Sequence, residues 1–251
     1  YRTALEMLNR SGVPYMVGGT YAFQYYAGIA RATKDFDIFV RPRDVRRVLD
    51  VLMRAGFKTE IAFSHWLAKA RHGERFMDVI FNSGNGVAEV DDEWFAHAVD
   101  HEVLGVPVKL CPAEEMIWSK AFIQLRHRYD GADIAHVILK QHHQIDWHRL
   151  LSYMEQYWEV LLMHLLNFRW IYPTERDHVP GWLKGNQLPT FETNSIEDFE
   201  LKLDRIVAET LGQDMRMISG IPPWMQMYFD RLTERTVKNV GDIFPNFSVL
   251  V

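Results

Sequence analysis

Apolar and polar positions change their spacing several times along the chain, and each change predicts an element. Ala4, Leu5, Met7 and Leu8 share one side of a helix over Arg2–Arg10, which Ser11-Gly12 ends. Tyr15–Val17 reads as a short strand that stops at Gly18-Gly19, and a helix over Thr20–Tyr26 follows, closed by Gly28. A strand then carries Asp35-Phe36-Asp37 into the apolar run that ends at Val40. Pro42 suits the first position of a helix reaching Arg54, with Val45, Val48, Leu49 and Leu52 at helical spacing and Gly56 as its stop. Phe57–Phe63, Trp66–Ala70 and Arg75–Phe81 read as consecutive strands. Asp91–Ala98 is a short helix, and His101–Leu104 with Val106–Leu110 is a hairpin around Gly105.

At Pro112 the period becomes helical. Helices are expected over Pro112–His127, Asp130–His142, Asp146–Tyr157 and Val160–Ile171. Trp118, Trp147, Trp158 and Trp170 recur through them and read as their core. A connector rich in proline and glycine follows, then helices over Ser195–Leu211, capped by Ser195, and from Pro222 to about Asn239. The expected fold class is α+β: a small mixed sheet flanked by helices over residues 1–111, a helical domain over 112–180, and a C-terminal helical extension over 181–251.

Composition narrows the classes without choosing one. The 251 residues, 48% hydrophobic and 24% charged, are ordinary for a globular protein. A net charge of −5 gives no global sign of nucleic-acid binding, although Arg31–Lys58 holds eight basic residues against four acids. That run is either a solvated face or a landing strip for an RNA acceptor. The single cysteine, Cys111, excludes an internal disulfide and a cysteine-based zinc cluster, and fits a reducing, cytoplasmic setting. The longest apolar run, Val160–Phe168, is broken by His164 and Asn167, so no membrane span is expected. His136, His142, His143 and His148 lack zinc-ligand spacing, and no Gly-x-Ser-x-Gly elbow is present.

The unusual chemistry sits on strands. Asp35 and Asp37 point to one face of their strand while Phe36 and Ile38 point to the other. Asp78 is similarly placed within Arg75–Phe81, flanked by apolar residues. A neighbouring Arg or Lys can neutralise one such acid; three on one small sheet favour a set of oxygen ligands for Mg²⁺. Gly18-Gly19 is either a plain strand-to-helix turn or a place where bare backbone lets phosphate reach the helix amides, with the Thr20 hydroxyl as a further donor. Arg31 either clamps a phosphate or pairs with Asp35 or Asp37.

Gly18-Gly19, the helix after it, Arg31-x-Thr33-x-Asp35-x-Asp37 and the later strand acid Asp78 resemble the DNA polymerase β-like nucleotidyltransferase superfamily. Lys120-Ala-Phe-Ile-Gln-Leu-Arg126 and Tyr129-Asp130-Gly-Ala-Asp133 resemble a further motif of its AbiEii-type branch, in which a Lys, an Arg and Asp-x-x-Asp lie on successive helices. Tyr129 departs from that pattern, which usually has a basic residue there. The resemblance spans about residues 15–140. It implies transfer of an NMP group from an NTP to an acceptor hydroxyl with release of pyrophosphate, ATP being one such donor. Asp35, Asp37 and Asp78 would be the catalytic acids and would hold two Mg²⁺ ions. Gly18, Gly19 and Thr20 would bind the β- and γ-phosphates, with Arg31, Thr33, Lys120 and Arg126 near the nucleotide. Asp130 and Asp133 are either helix-start acids or residues that orient Lys120 or the base. Lys120 itself is either a phosphate ligand or a solvated lysine paired to Glu115 or another acid. The acceptor could be tRNA, a protein side chain or a small molecule, and a toxin-like or resistance role is open by family analogy. The competing expectation is a catalytically inactive nucleotide-binding or scaffold module of the same fold.

Overall fold

Alternation along the strand that carries Asp35 and Asp37 organises the whole sheet, because Phe36 and Ile38 are fully buried on its other face. The computed structural model describes residues 1–125 and 128–181, which belong to one compact unit spanning Tyr1–Gly181. The helices expected over Ser195–Leu211 and beyond Pro222, and the extension over 181–251 beyond its first residue, lie outside the described residues.

The first half alternates helices and strands: α1 (Arg2–Ser11), β1 (Met16–Val17), α2 (Gly19–Ala27), β2 (Asp35–Phe39), α3 (Val45–Arg54), β3 (Lys58–Phe63), β4 (Leu67–His72), β5 (Arg75–Ile80), α4 (Asp92–Ala96), β6 (Val99–Val103) and β7 (Val106–Leu110). Pro42–Asp44 forms a single 3₁₀ turn ahead of α3, so the expected helix starts a turn late. The seven strands make one mixed sheet in the order β3-β4-β5-β2-β1-β7-β6. Its parallel pairs are β2 with β5 and β1 with β7; every other neighbour is antiparallel. This is the mixed sheet flanked by helices that the pattern predicts.

One sheet face buries Phe36, Ile38, Ala68, Ala70, Met77 and Val79 against Leu5 and Leu8 of α1 and Val48 and Leu52 of α3. Tyr1 and Tyr21 close over the Phe36 ring, with centroids 4.9 and 4.8 Å away. The second half is helical: α5 (Ala113–Ala121), α6 (Gly131–Gln141), α7 (Trp147–Met154) and α8 (Trp158–Ile171). It buries Met116, Ile134, Ile138, Leu150, Leu165 and Phe168, and α2 packs on α6.

Three expectations need correction. The helix from Pro112 stops at Ala121, and Gln124–Leu125 (β8) pairs with Arg128–Tyr129 (β9) in a separate hairpin. The Ala121 carbonyl freed at this end accepts hydrogen bonds from Nε2 of buried His164 on α8, at 2.8 Å, and from the Gln124 side-chain amide, at 2.9 Å. Trp170 is not core, being 83% exposed, because the packed side of α8 is set by Leu161, His164, Leu165 and Phe168. Half of the basic run, Arg31, Arg41, Arg43 and Arg47, is held in internal ion pairs. Arg41 and Arg47 bind buried Asp44 at 3.0 and 3.1 Å, and Arg41 and Arg43 bind Asp92. Since α3 lies on the Phe36 side of the sheet, its arginines are a layer away from the strand acids.

The His142 ring stacks flat on His178, centroids 3.4 Å apart. No helix among the described residues is long and apolar enough to cross a membrane. An open depression of about 470 Å³ between α1 and the β6–β7 hairpin, lined in part by Leu8, Tyr15 and Pro107, shares no residue with the acidic strands.

Truncating the buried ring in Phe36→Ala is expected to cost about 3–5 kcal/mol, whereas Trp170→Ala stays within about 0.5 kcal/mol. Urea unfolding of both variants checks the two sides of the sheet argument.

Candidate active site

Parallel pairing of β2 with β5 sets Asp37 directly opposite Asp78, with Asp35 opposite Phe76. Residues opposite each other in a ladder share a face, so Asp35, Asp37 and Asp78 all lie on the side away from Phe36 and Ile38. Three carboxylates on neighbouring positions repel one another. Burial, and then the charge of Asp78, push the Asp37 carboxyl up to about 6; Lys120 offsets part of this and Asp35 adds to it. Neither Asp35 nor Asp37 forms an ion pair among the described residues. Arg31 and Arg75 therefore do not neutralise them.

The glycine pair is shaped around Asp37. The Gly18 amide donates to the Asp37 carbonyl at 3.0 Å. A Cβ on Gly18 would overlap the Phe39 ring, and one on Gly19 would overlap the Asp37 carboxylate. Gly19 also has φ +51°, a left-handed conformation that side chains resist. Thus α2 begins in contact with the central acid, and its first amides, those of Gly19, Thr20 and Tyr21, have no acceptor within the helix. The Thr33 hydroxyl is spent on the entry to β2, where it accepts from the Asp35 amide and donates to the Asp35 carbonyl, both at 3.1 Å.

Positive charge arrives from the helical half. Lys120, at the end of α5, binds Asp130 at 2.6 Å and Asp133 at 3.0 Å. Asp133 also binds Arg31 at 2.5 Å, and the Arg31 guanidinium sits 4.1 Å from the Phe23 ring centroid. Burial alone would raise Asp133, but the Arg31 hydrogen bond and the Lys120 charge outweigh it and hold the carboxyl below its ordinary range. Asp130 and Asp133 therefore orient Lys120, and Asp130 makes no capping bond of its own at the start of α6. Glu115 is not the partner of Lys120; it binds Arg149 at 2.6 Å and accepts from Tyr153 at 2.9 Å. Gly131 follows Asp130 because the Tyr129 ring occupies the space that a Cβ would take. Arg126 lies outside the described residues.

Lys69 on β4 was not legible as part of this set. It stands opposite Asp78 across the β4–β5 ladder and donates to Asp78 Oδ1 at 2.9 Å. The available signal was a lysine between Ala68 and Ala70 in an apolar strand, on the same parity as Leu67.

Among the described residues, no three His, Cys, Asp or Glu side chains are gathered as a ready metal cage. The donor chemistry nevertheless suits a hard divalent cation: oxygen ligands only, on one face, with two of the three acids unpaired and Asp37 raised by its neighbours.

Residues 1–166 match the family described as uncharacterised nucleotidyltransferase. The chain belongs to this nucleotidyltransferase family. Its enzymes are transferases, and the matched span contains the glycine pair, all three strand acids, Lys69 and the Lys120–Asp130–Asp133 group. A search of curated proteins finds no match. Solved structures similar to the chain include the antibiotic-resistance factor ANT(2'')-Ia, at 14% identity over 70% of this chain and 93% of that one, with a TM-score of 0.44. Another is the lincomycin-bound lincosamide adenylyltransferase LnuA, at 17% identity over 53% and 90%, with a TM-score of 0.39. A third is an antigenic nucleotidyltransferase-like protein from Paracoccidioides brasiliensis, at 17% identity over 75% and 93%, with a TM-score of 0.45.

Two outcomes follow from the packing around Asp37. Its folded-state carboxyl holds a proton more tightly than in the unfolded chain, so stability falls as pH rises from about 4 through 6. Asp37→Asn removes that term and is expected to be more stable than the parent by about 3 kcal/mol at pH 8, with little gain at pH 4; urea unfolding at both pH values measures it. Gly19→Ala must shift Asp37 and strain α2, and is expected to lower stability by at least about 1 kcal/mol, read by thermal unfolding.

Proposed function

We propose that the chain transfers a nucleoside monophosphate from an NTP to an acceptor hydroxyl, releasing pyrophosphate. The observation that carries this reading is the placement of Asp35, Asp37 and Asp78 on one face of β2 and β5, against the glycine pair that opens α2. In this reaction the acceptor oxygen bonds to the α-phosphorus as the bond from that phosphorus to the α–β bridging oxygen breaks. The acceptor proton passes to a carboxylate of this face, Asp78 in this reading, and the new negative charge leaves on pyrophosphate.

The chain's own residues divide the work. The amides of Gly19 and Thr20, with the Thr20 hydroxyl, receive β- and γ-phosphate oxygens at a helix start where the dipole favours anions. Lys120, oriented by Asp130 and Asp133, supplies positive charge to the same end, together with Arg31 and, by the resemblance, Arg126. Such catalysis is mostly positioning and electrostatics, which suits groups locked in place before substrate arrives. Thr33 acts through the strand, holding Asp35 at the mouth of β2. Two Mg²⁺ ions held by Asp35, Asp37 and Asp78 would neutralise the triphosphate and make the acceptor oxygen a better nucleophile. On this reading residues 1–111 carry the acids and residues 112–180 contribute the cation end.

One observation favours the inactive, nucleotide-binding alternative: Asp78 and Lys120 already have partners in the free protein. A transfer assay decides. With each α-labelled NTP, Mg²⁺ and total tRNA, cell extract protein or a small-molecule pool, the parent is expected to label an acceptor. Asp35→Ala with Asp37→Ala is expected to lose at least about a hundredfold. Absence of both transfer and metal-dependent NTP binding overturns the enzyme.

A further inference from the structure

Lys69 faces two acids across its strand neighbours, Glu60 on β3 and Asp78 on β5. It takes Asp78, at 2.9 Å, while Arg71 takes Glu60 at 3.4 Å. The choice puts an ammonium on the one strand acid that would share its work with a metal ion. The pair is also sheltered, with side chains 22% and 18% exposed, whereas the Arg71–Glu60 side chains are more than half exposed. The Phe76 ring lies 5.3 Å from the ammonium and forms part of its surroundings. An ammonium and a divalent cation compete for a carboxylate in two ways. Each needs the same oxygen lone pairs, and each repels the other's charge at close range.

Resting on the nucleotidyltransferase reading above, we propose that Lys69 is a positioning residue that holds Asp78 in the free protein and yields it to a divalent cation only when nucleotide is bound. Among the described residues Asp37 and Asp35 have no such ion pair, so the face is asymmetric: one end is open to cations and the other is closed by Lys69. A bound triphosphate supplies further oxygen ligands and negative charge beside Gly18-Gly19, which offsets the repulsion between Lys69 and the incoming ion. The device keeps the site from filling with metal before substrate arrives.

Mn²⁺ binding to the 251-residue chain, followed by the loss of its free-ion paramagnetic resonance signal and corrected for Mn²⁺ taken up by the analogue alone, tests this without any turnover. The parent is expected to bind Mn²⁺ weakly alone and at least tenfold more tightly with an NTP analogue whose α–β bridging oxygen is replaced by methylene. Lys69→Met is expected to bind Mn²⁺ at least tenfold more tightly than the parent without nucleotide, and to gain less than threefold from the analogue. Lys69→Arg, which keeps the cation, is expected to return to the parental pattern, and Lys69→Met with Asp78→Asn to lose the gain. Lys69→Gln gives the same readout should the methionine variant fail to fold. Equal or weaker nucleotide-free binding in Lys69→Met, beside a parent that binds Mn²⁺ with nucleotide, overturns the role of Lys69 alone. No Mn²⁺ binding by any variant, with or without the analogue, overturns the metal reading of the site and this inference with it.

Discussion

The contact between Asp37 and the glycine pair is the constraint on which the rest of the site depends. The start of α2 can approach β2 only because neither Gly18 nor Gly19 carries a Cβ, and the hydrogen bond from the Gly18 amide to the Asp37 carbonyl holds it there. Several consequences follow from that closeness. It packs bare backbone against the central carboxylate, withdrawing it from water and raising it to about 6. It leaves room for the Phe39 ring, which in turn packs on Trp94 at 5.2 Å and ties the strand to the α4 segment. It also brings the first amides of α2, which have no acceptor within the helix, close to the central acid.

Electrostatically the molecule separates its charges with some care. Among the described residues the acids on β2 have no ion pair, Asp78 is paired with Lys69, and Lys120 is held by Asp130 and Asp133. Unpaired, partly buried carboxylates destabilise a fold, and an apolar or amide side chain at Asp37 would be the simpler solution for stability alone. Their presence beside a sheltered lysine that neutralises only one of them is hard to account for by packing. It is readily accounted for if another cation completes the set. The Lys120 charge lowers the Asp37 carboxyl, but its ion pairs are with Asp130 and Asp133.

Much of this was legible in the chain. Alternation identified β2, β4 and β5, the glycines marked the turn into α2, and the parity of Asp35 and Asp37 placed them together away from Phe36. What was not legible depends on register and on distant packing. That Asp78 stands opposite Asp37 follows from the β2–β5 ladder, and that Lys69 stands opposite Asp78 follows from the β4–β5 ladder; a slip of one residue in either would send the side chain to the other face. The partner of Arg31 lies 102 residues away, on α6, beyond any local rule. The early end of α5 is also tied to distant packing, since its Ala121 carbonyl is bound by a buried histidine on α8, 43 residues downstream. Trp170 escaped because an apolar residue at helical spacing is core only if another element covers that side.

The Arg31–Asp133–Lys120 chain of contacts has a consequence for how the two halves work together. Arg31 lies just before β2, Lys120 at the end of α5 and Asp133 in the first turn of α6, so one carboxylate joins the acidic strand's approach to two elements of the helical layer. If a phosphate takes the Lys120 ammonium, Asp130 and Asp133 lose a counter-ion and Asp133 leans more on Arg31. If the phosphate takes Arg31, the reverse holds. Either exchange alters how firmly α6 is held against the strand side of the fold, where α2 already packs on it. One buried acid thus ties the approach to the acidic strand to the end of α5 and the start of α6.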